Sequence, residues 1–231
     1  MSSSYSTIGQ LHSDRKSISV INYKGRKCVI KIYGENEKPQ TEARIMRSVS
    51  MTGYAPEVIE SRDNYLICEF IEGQSFAEAY RQATMSDDEK ALVNLASRLC
   101  IFLQMFYTLN EGSILGKADF DDFIIVNDRC CCVSFSGVKK GLPFQDIAGM
   151  VAYATCNAVG NYYSAYPFVK KVLDCFHLSA LDIINDMDEY FQIFSEEKGL
   201  PVDRESIEAV LLSFEDTAFD WEMISSQRSN E

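Results

Sequence analysis

Histidine is almost absent from this sequence: His12 and His177 are the only two. None of the eight cysteines falls in a CxxC pair, so there is little from which to build a zinc site. The run Cys130-Cys131-Cys132 lies in an apolar, strand-like segment. Neighbouring strand side chains point to opposite faces, so three in a row cannot share one ion. The cysteines read as small buried hydrophobes in a reducing compartment. Basic residues are also scarce, 22 against 34 acidic, for a net charge of −12. Binding to a phosphate backbone draws on counterions released around Lys and Arg, so nucleic acid is not an expected partner. No apolar run approaches the ~20 residues of a membrane span. The opening MSSSYSTIGQLHSDRK lacks the apolar core of a secretory signal. A cytoplasmic protein, off the membrane, is expected.

What remains is an ordinary globular composition, 46% hydrophobic, without repeats or low-complexity tracts. The first third alternates like a sheet. SISVINY and RKCVIKIY flank Lys24-Gly25, a two-residue hairpin turn in which glycine accepts positive φ. In TEARIMRSV, Ala43, Met46 and Val49 recur at helical spacing. A further strand pair turns around Arg62-Asp63-Asn64 and closes with YLICEFIEG. After a connector, Ser86 reads as the cap of a long helix, DDEKALVNLASRLCIFLQMFYTL, too apolar to lie on a surface. Two short strands, FIIVND and CCCVSFSG, turn at Asn127-Asp128. Helices are predicted over Pro143–Asn157, Ala165–Phe176, Ala180–Glu197 and Arg204–Phe219. The fold class is α+β: an antiparallel sheet with one helix, then a mostly helical region interrupted by a hairpin.

Several residues now line up. CVIK on a sheet strand resembles the V-A-I-K element of kinases, with Lys31 at the phosphate-binding lysine. Alternation puts Val29 on the same face, where it would cover a purine. Glu42 on the next helix is placed to pair with Lys31, and ICEFIEG is similar to the hinge, where backbone groups near Glu69 and Ile71 would meet adenine. From about Ile18 to Thr155 the chain resembles the protein-kinase-like superfamily, notably the compact bacterial aminoglycoside, choline and lipopolysaccharide kinases. The resemblance implies a two-lobed fold: residues 1–73 a small antiparallel sheet lobe with one helix, residues 74–231 a mostly α-helical lobe. It also implies ATP and Mg²⁺ as cofactors.

Phosphoryl transfer in such a fold needs a catalytic-loop aspartate, an asparagine five residues on, and a second metal-binding aspartate after the hairpin. Laid on G-D-x-x-x-x-N-F, the stretch GKADFDDFIIV puts Lys117 at the base and Asp122 at the asparagine. CVSFSG puts Ser134 at the metal-binding aspartate. A lysine ammonium cannot act as a carboxylate base, and a serine hydroxyl is a poor ligand for a hard cation. No G-x-G-x-x-G precedes Lys31 either. The leading expectation is therefore a pseudokinase that acts by binding or regulation, with ATP and Mg²⁺ bound weakly or not at all. A second reading keeps catalysis, with Asp119 shifted into the base position and Asp121 or Asp122, Asp122 foremost, on the metal. A third is a protein-interaction adaptor that binds no nucleotide. In a degenerate kinase, Lys31 and Glu42 can persist as an ion pair that fixes helix to sheet, without a nucleotide. Asp146, opening the helix after the hairpin, reads as architectural. The expected partner is another protein or a small molecule.

Overall fold

The computed structural model describes residues 5–11, 17–34, 39–116, 119–158, 162–198 and 204–213. The chain divides into two compact units, Met1–Tyr80 with Arg98–Asp146, and Arg81–Ser97 with Ile147–Glu231.

The first unit is built on an antiparallel sheet of β1 (Tyr5–Leu11), β2 (Ser17–Tyr23), β3 (Arg26–Ile32), β4 (Val58–Ser61) and β5 (Tyr65–Glu69). Its spatial order is β1-β2-β3-β5-β4, with α1 (Pro39–Ser50) between β3 and β4 in sequence. The β2–β3 turn is as expected. Lys24 and Gly25 both take positive φ, +52° and +79°, and the Gly25 N–H donates to Asn22 Oδ1. Strand β1 is an addition to the sheet expected from sequence.

Period-two alternation sorts the sheet's two faces. Ile21, Cys28, Ile30 and Ile67 pack into one apolar cluster with Tyr23. Val29 and Lys31 lie on the other side of β3. Helix α1 buries Ala43, Met46 and Val49, the positions the spacing picks out, and exposes Gln40, Thr41, Arg44 and Arg47.

The sheet is strongly curled. The Tyr23 hydroxyl on β2 donates to Glu60 on β4 although β3 and β5 lie between them. In a flat sheet those strands would be about 14 Å apart, with side chains standing perpendicular and out of reach. Glu60 also accepts from the Tyr65 hydroxyl at 2.7 Å and Arg62 Nε at 2.9 Å. The donors Tyr23, Tyr65 and Arg62 hold its carboxyl well below the usual range, at about 2.

The next stretch corrects the expected connector. Gln74–Ser75 forms β6, followed by α2 (Phe76–Met85). Ser86 does not cap the long helix α3 (Glu89–Leu109): its hydroxyl donates back to the Gln82 carbonyl in the last turn of α2. Asp88 takes the cap, its Oδ1 accepting the Ala91 N–H at 2.9 Å. By length and composition α3 would cross a membrane, but Leu99, Phe102, Leu103 and Phe106 are buried in the protein.

After α3, β7 (Ser113–Ile114) pairs with β10 (Lys139–Lys140). The hairpin β8 (Phe123–Val126) and β9 (Arg129–Cys132) joins β6 in a second sheet, turning at Asn127 with φ +53°. Cys130, Cys131 and Cys132 are all buried, as expected of small hydrophobes. An aromatic column runs through this unit. Tyr80 meets Phe120 at 5.1 Å, Phe120 meets Phe76 at 5.0 Å, and Phe76 meets Phe123 at 6.2 Å. Phe123 meets Phe102 at 5.4 Å, and Phe102, Phe106 and Phe135 stack in turn at 6.1 Å. Each such ring contributes roughly 1.5–3 kcal/mol by burial, and the pairs add a little more.

The second unit is helical. Helix α4 (Pro143–Cys156) enters it from Ile147, followed by α5 (Tyr166–Phe176), α6 (Ala180–Lys198) and α7 (Arg204–Ser213). These follow the expected spans, except that 214–219 of the last lies outside the described residues. Helix α4 is apolar nearly all round and buries Ile147, Ala148, Val151 and Ala154. At Gly149 a Cβ would come within 2.7 Å of the Tyr190 ring, so glycine sets the approach of α4 to α6.

The Glu60 cluster has a pH signature. A carboxyl depressed in the folded state stabilises fully above its ordinary value near 4.3, and that stability disappears as pH falls toward about 2. Urea midpoints of wild type and Glu60→Gln measured from pH 6 to pH 2 are expected to differ most at pH 6 and to converge at the acid end.

Candidate functional site

The site is assembled within the first unit, where β3, α1 and the segment after β9 converge. Lys31 leaves the inner face of β3 and is 4% exposed; Glu42 leaves the first turn of α1 and is 2% exposed. The amine meets Glu42 Oε1 at 2.7 Å. It also donates to the Val133 carbonyl at 2.7 Å. Glu42 Oε1 accepts the Phe135 N–H at 3.2 Å, and Oε2 accepts the Tyr33 hydroxyl at 2.7 Å. The pair thus grips the backbone on both sides of Ser134. Burial alone would work against the ammonium, but Glu42 more than offsets it and holds Lys31 above its usual pKa.

Ser134 itself is half-buried, with its hydroxyl 3.4 Å from the Ser136 hydroxyl. Its carbonyl accepts the Cys132 thiol at 3.0 Å. Lys117, the residue at the base position, lies outside the described residues, and so does any pairing of it with Asp122.

The acidic cluster is folded as a capped turn. Asp119 precedes a single 3₁₀ turn, Phe120–Asp122, and its Oδ1 accepts the Asp121 N–H at 2.9 Å. The Asp122 N–H donates to the Asp119 carbonyl, and the Asp122 carbonyl accepts the Val133 N–H at 2.8 Å. The loop is therefore tied to the same segment that Lys31 and Glu42 hold. Asp122 keeps partial solvent exposure, but protein surrounds it closely enough to set its charge. Burial first, then the Asp119 carboxylate, pushes Asp122 up to about 7, while Lys31 pulls the other way.

The adenine-side candidates have mixed geometry. Val29 is half-buried on β3, paired across to Cys68 on β5. Glu69 turns its carboxylate back to the Glu57 N–H at 3.3 Å, and its own N–H donates to the Glu57 carbonyl at 2.9 Å. Phe70 N–H is taken by the Lys27 carbonyl. The half-buried Ile71 follows, and among the described residues its N–H has no partner.

Asp146 anchors the loop from the far side. It accepts the Leu115 and Gly116 N–H groups at 2.7 and 3.0 Å and the Tyr107 hydroxyl at 3.0 Å. Burial outweighs these donors and raises its carboxyl to about 6. Gly116 is required there: φ is +61°, and a Cβ would lie 2.3 Å from the Gly137 carbonyl. Sequence reasoning missed Tyr33, Val133 and Phe135 as partners of the ion pair. A tyrosine at the end of β3 carries no distinguishing signal, and two of the contacts are made by backbone.

A strand lysine, its helix glutamate, a hinge-like strand end, a core helix, and a loop leading into a hairpin follow one another in the order of a kinase. This is the order of elements that the resemblance drawn from the sequence implies. Many solved structures are similar to this chain, and two of them illustrate the level of likeness. One is the complex of Rv3197 with erythromycin from Mycobacterium tuberculosis, at 15% identity and TM-score 0.45, over 90% of this chain and 70% of that one. The other is the Cydia pomonella granulovirus kinase PK-1, at 12% identity and TM-score 0.48, over 72% of this chain and 71% of that one. Likeness at that level says nothing of activity, substrate or partner. No protein-family model matches the sequence, and no curated protein matches it.

The residues present do not fit a magnesium ion well. Such a cation wants several ionised oxygens around it. Here one carboxylate caps a turn, another is pushed toward its neutral form, and a hydroxyl stands where a carboxylate is needed. Among the described residues no group of three His, Cys, Asp or Glu is placed to hold a metal.

Two measurements probe this geometry. Lys31→Met leaves Glu42 buried and uncompensated and is expected to destabilise the protein by about 3–5 kcal/mol in urea unfolding. Combining it with Glu42→Leu should recover part of that loss and not all, because Tyr33 and Phe135 then lose their acceptor. Asp122 titrates in the opposite sense to Glu60. A folded-state carboxyl raised to about 7 favours the fold most at low pH, and that contribution is lost as pH rises from about 4 to 7. Asp122→Asn is expected to remove that decline, measured as the urea midpoint between pH 4.5 and 8.

Proposed function

We propose that this chain is a pseudokinase: a kinase-like protein that works by binding or regulation and not by phosphoryl transfer. The observation that carries the reading is the Lys31–Glu42 clamp. An amine that would meet phosphates is engaged by Glu42 and the Val133 carbonyl at 2.7 Å each, so it serves the frame of the site. The residue between the two gripped backbone groups is Ser134, which offers a hydroxyl where metal chemistry needs a charged oxygen. Lys117 at the base position agrees with this by residue type alone. ATP and Mg²⁺ then bind weakly or not at all, and the natural occupant of the site is a small molecule or part of another protein.

A second reading, an atypical phosphotransferase, is favoured by one observation. The Asp119 and Asp122 carboxylates lie close enough for one to raise the pKa of the other, the juxtaposition that a base at Asp119 beside a metal ligand at Asp122 needs.

Phosphotransfer assays with ATP and either Mg²⁺ or Mn²⁺ separate the two. The pseudokinase is expected to show no turnover above its Lys31→Ala variant. Turnover that Lys31→Ala abolishes, and that Asp119→Asn lowers by orders of magnitude, establishes the phosphotransferase instead. A thermal-shift measurement with Mg–ATP reports binding separately. Ligand bound to the native form at a hundredfold excess over Kd stabilises it by about 2.7 kcal/mol, and a response far below that is expected here.

A further inference from the structure

Away from the clamp, the first unit exposes two large apolar side chains near several arginines. Met51, just after α1, is 89% exposed. Its neighbour Thr52 contacts Met105 of α3, Oγ1 to Sδ at 3.6 Å. One turn earlier on α3, Ile101 is 53% exposed. Arg98, a turn before that, is paired with Asp128 at 2.9 Å. Next to Asp128 stands Arg129, whose guanidinium lies 5.6 Å over the Tyr54 ring. Arg129 also fills the space beside Gly53, where a Cβ would come within 2.6 Å of it. Residues 51–54 are consecutive, so the contacts close on themselves. Arg47, exposed one helical turn before Met51, extends the positive side.

Both the composition and the charge of this patch are unusual for the chain. Arg47, Arg98 and Arg129 gather here, Arg98 paired with Asp128, on a molecule with net charge −12. Methionine, tyrosine and arginine are enriched at protein interfaces, and methionine adapts its shape to varied apolar partners. A phosphate backbone would gain from a wider spread of lysine and arginine without an apolar centre. An acidic peptide with one apolar side chain matches both features: the side chain covers Met51 and Ile101, and the carboxylates meet the arginines. We propose that this patch docks an acidic protein segment bearing an apolar anchor. It does so whether or not the Lys31 site takes a nucleotide.

The test uses the full chain and a fluorescent synthetic peptide of about twelve residues, mostly Glu and Asp around a central Leu-Phe pair. Its partner control has Lys in place of every acid. The acidic peptide is expected to bind, the lysine peptide not. Met51→Asp and, separately, Arg47→Glu should each weaken binding at least tenfold while circular dichroism and Tm stay as in wild type, since both side chains are exposed. Equal binding of the two peptides overturns the proposal, as does binding indifferent to both substitutions. Met51-dependent binding of a single-stranded oligonucleotide or of anionic vesicles, tighter than that of the acidic peptide, also overturns it. So does Met51-dependent dimerisation of the chain in sedimentation, which would make the occupant a second copy.

Discussion

Two opposite charges buried together hold the first unit in register. Lys31 and Glu42 are each almost wholly withdrawn from water, a state that costs several kcal/mol per ion unless each answers the other and both are fully hydrogen-bonded. Here that condition is met by Val133, Phe135 and Tyr33 as well as by the pair itself. The consequence is geometric. Strand β3, helix α1 and the backbone after β9 cannot move independently, because displacing any one leaves a buried charge or N–H unanswered.

The clamp reaches the rest of the unit through Phe135. Its N–H is fixed by Glu42, and its ring stacks on Phe106, at the end of the aromatic column that runs back to Tyr80. Phe120 and Phe123, on either side of Asp122, belong to the same column. The acidic loop is thus held by packing on its apolar residues and by backbone bonds at Asp119 and Asp122. That burial also explains the charge state of Asp122: a carboxylate set among packed rings and beside another carboxylate is pushed toward its neutral form.

Much of this frame was legible in the sequence because it rests on periodic or local signals. Lys24-Gly25 demanded a tight turn, Ala43, Met46 and Val49 marked the buried face of α1, and CVIK with Glu42 anticipated the ion pair. The losses have physical causes. Helix α2 has periodic apolar positions at Phe76, Tyr80 and Ala83, but it is short and lies between Gly73 and the Ser86–Asp88 turn, where a connector is equally readable. Ser86 and Asp88 are both good caps, so only the bond to the Ala91 N–H decides between them. The Val133 carbonyl and Phe135 N–H are backbone groups that any residue would supply. The near-neutral Asp122 follows from tertiary burial, which three acids within four residues conceal. The Met51 patch is assembled from α1, α3 and β9, so no single stretch displays it.

An intact ion pair in this fold is often taken as a sign of a working site, but the geometry argues that it has a sufficient role of its own. Lysine has three donors and no acceptor, and two of those donors are engaged, one by Glu42 and one by Val133. A phosphate arriving at the amine would have to share it with a carbonyl that positions Ser134 and with a carboxylate that positions Phe135. Losing either contact strands a buried polar group, so the frame resists giving the lysine up. In an enzyme a divalent cation would offset that resistance by carrying much of the phosphate's charge. With a hydroxyl at 134 and a carboxyl at 122 raised to about 7, less negative charge stands ready for such a cation than two ionised carboxylates would offer. Ser134, held between the contacts of Lys31 and Glu42, therefore puts a hydroxyl at the point where phosphoryl transfer would need a carboxylate.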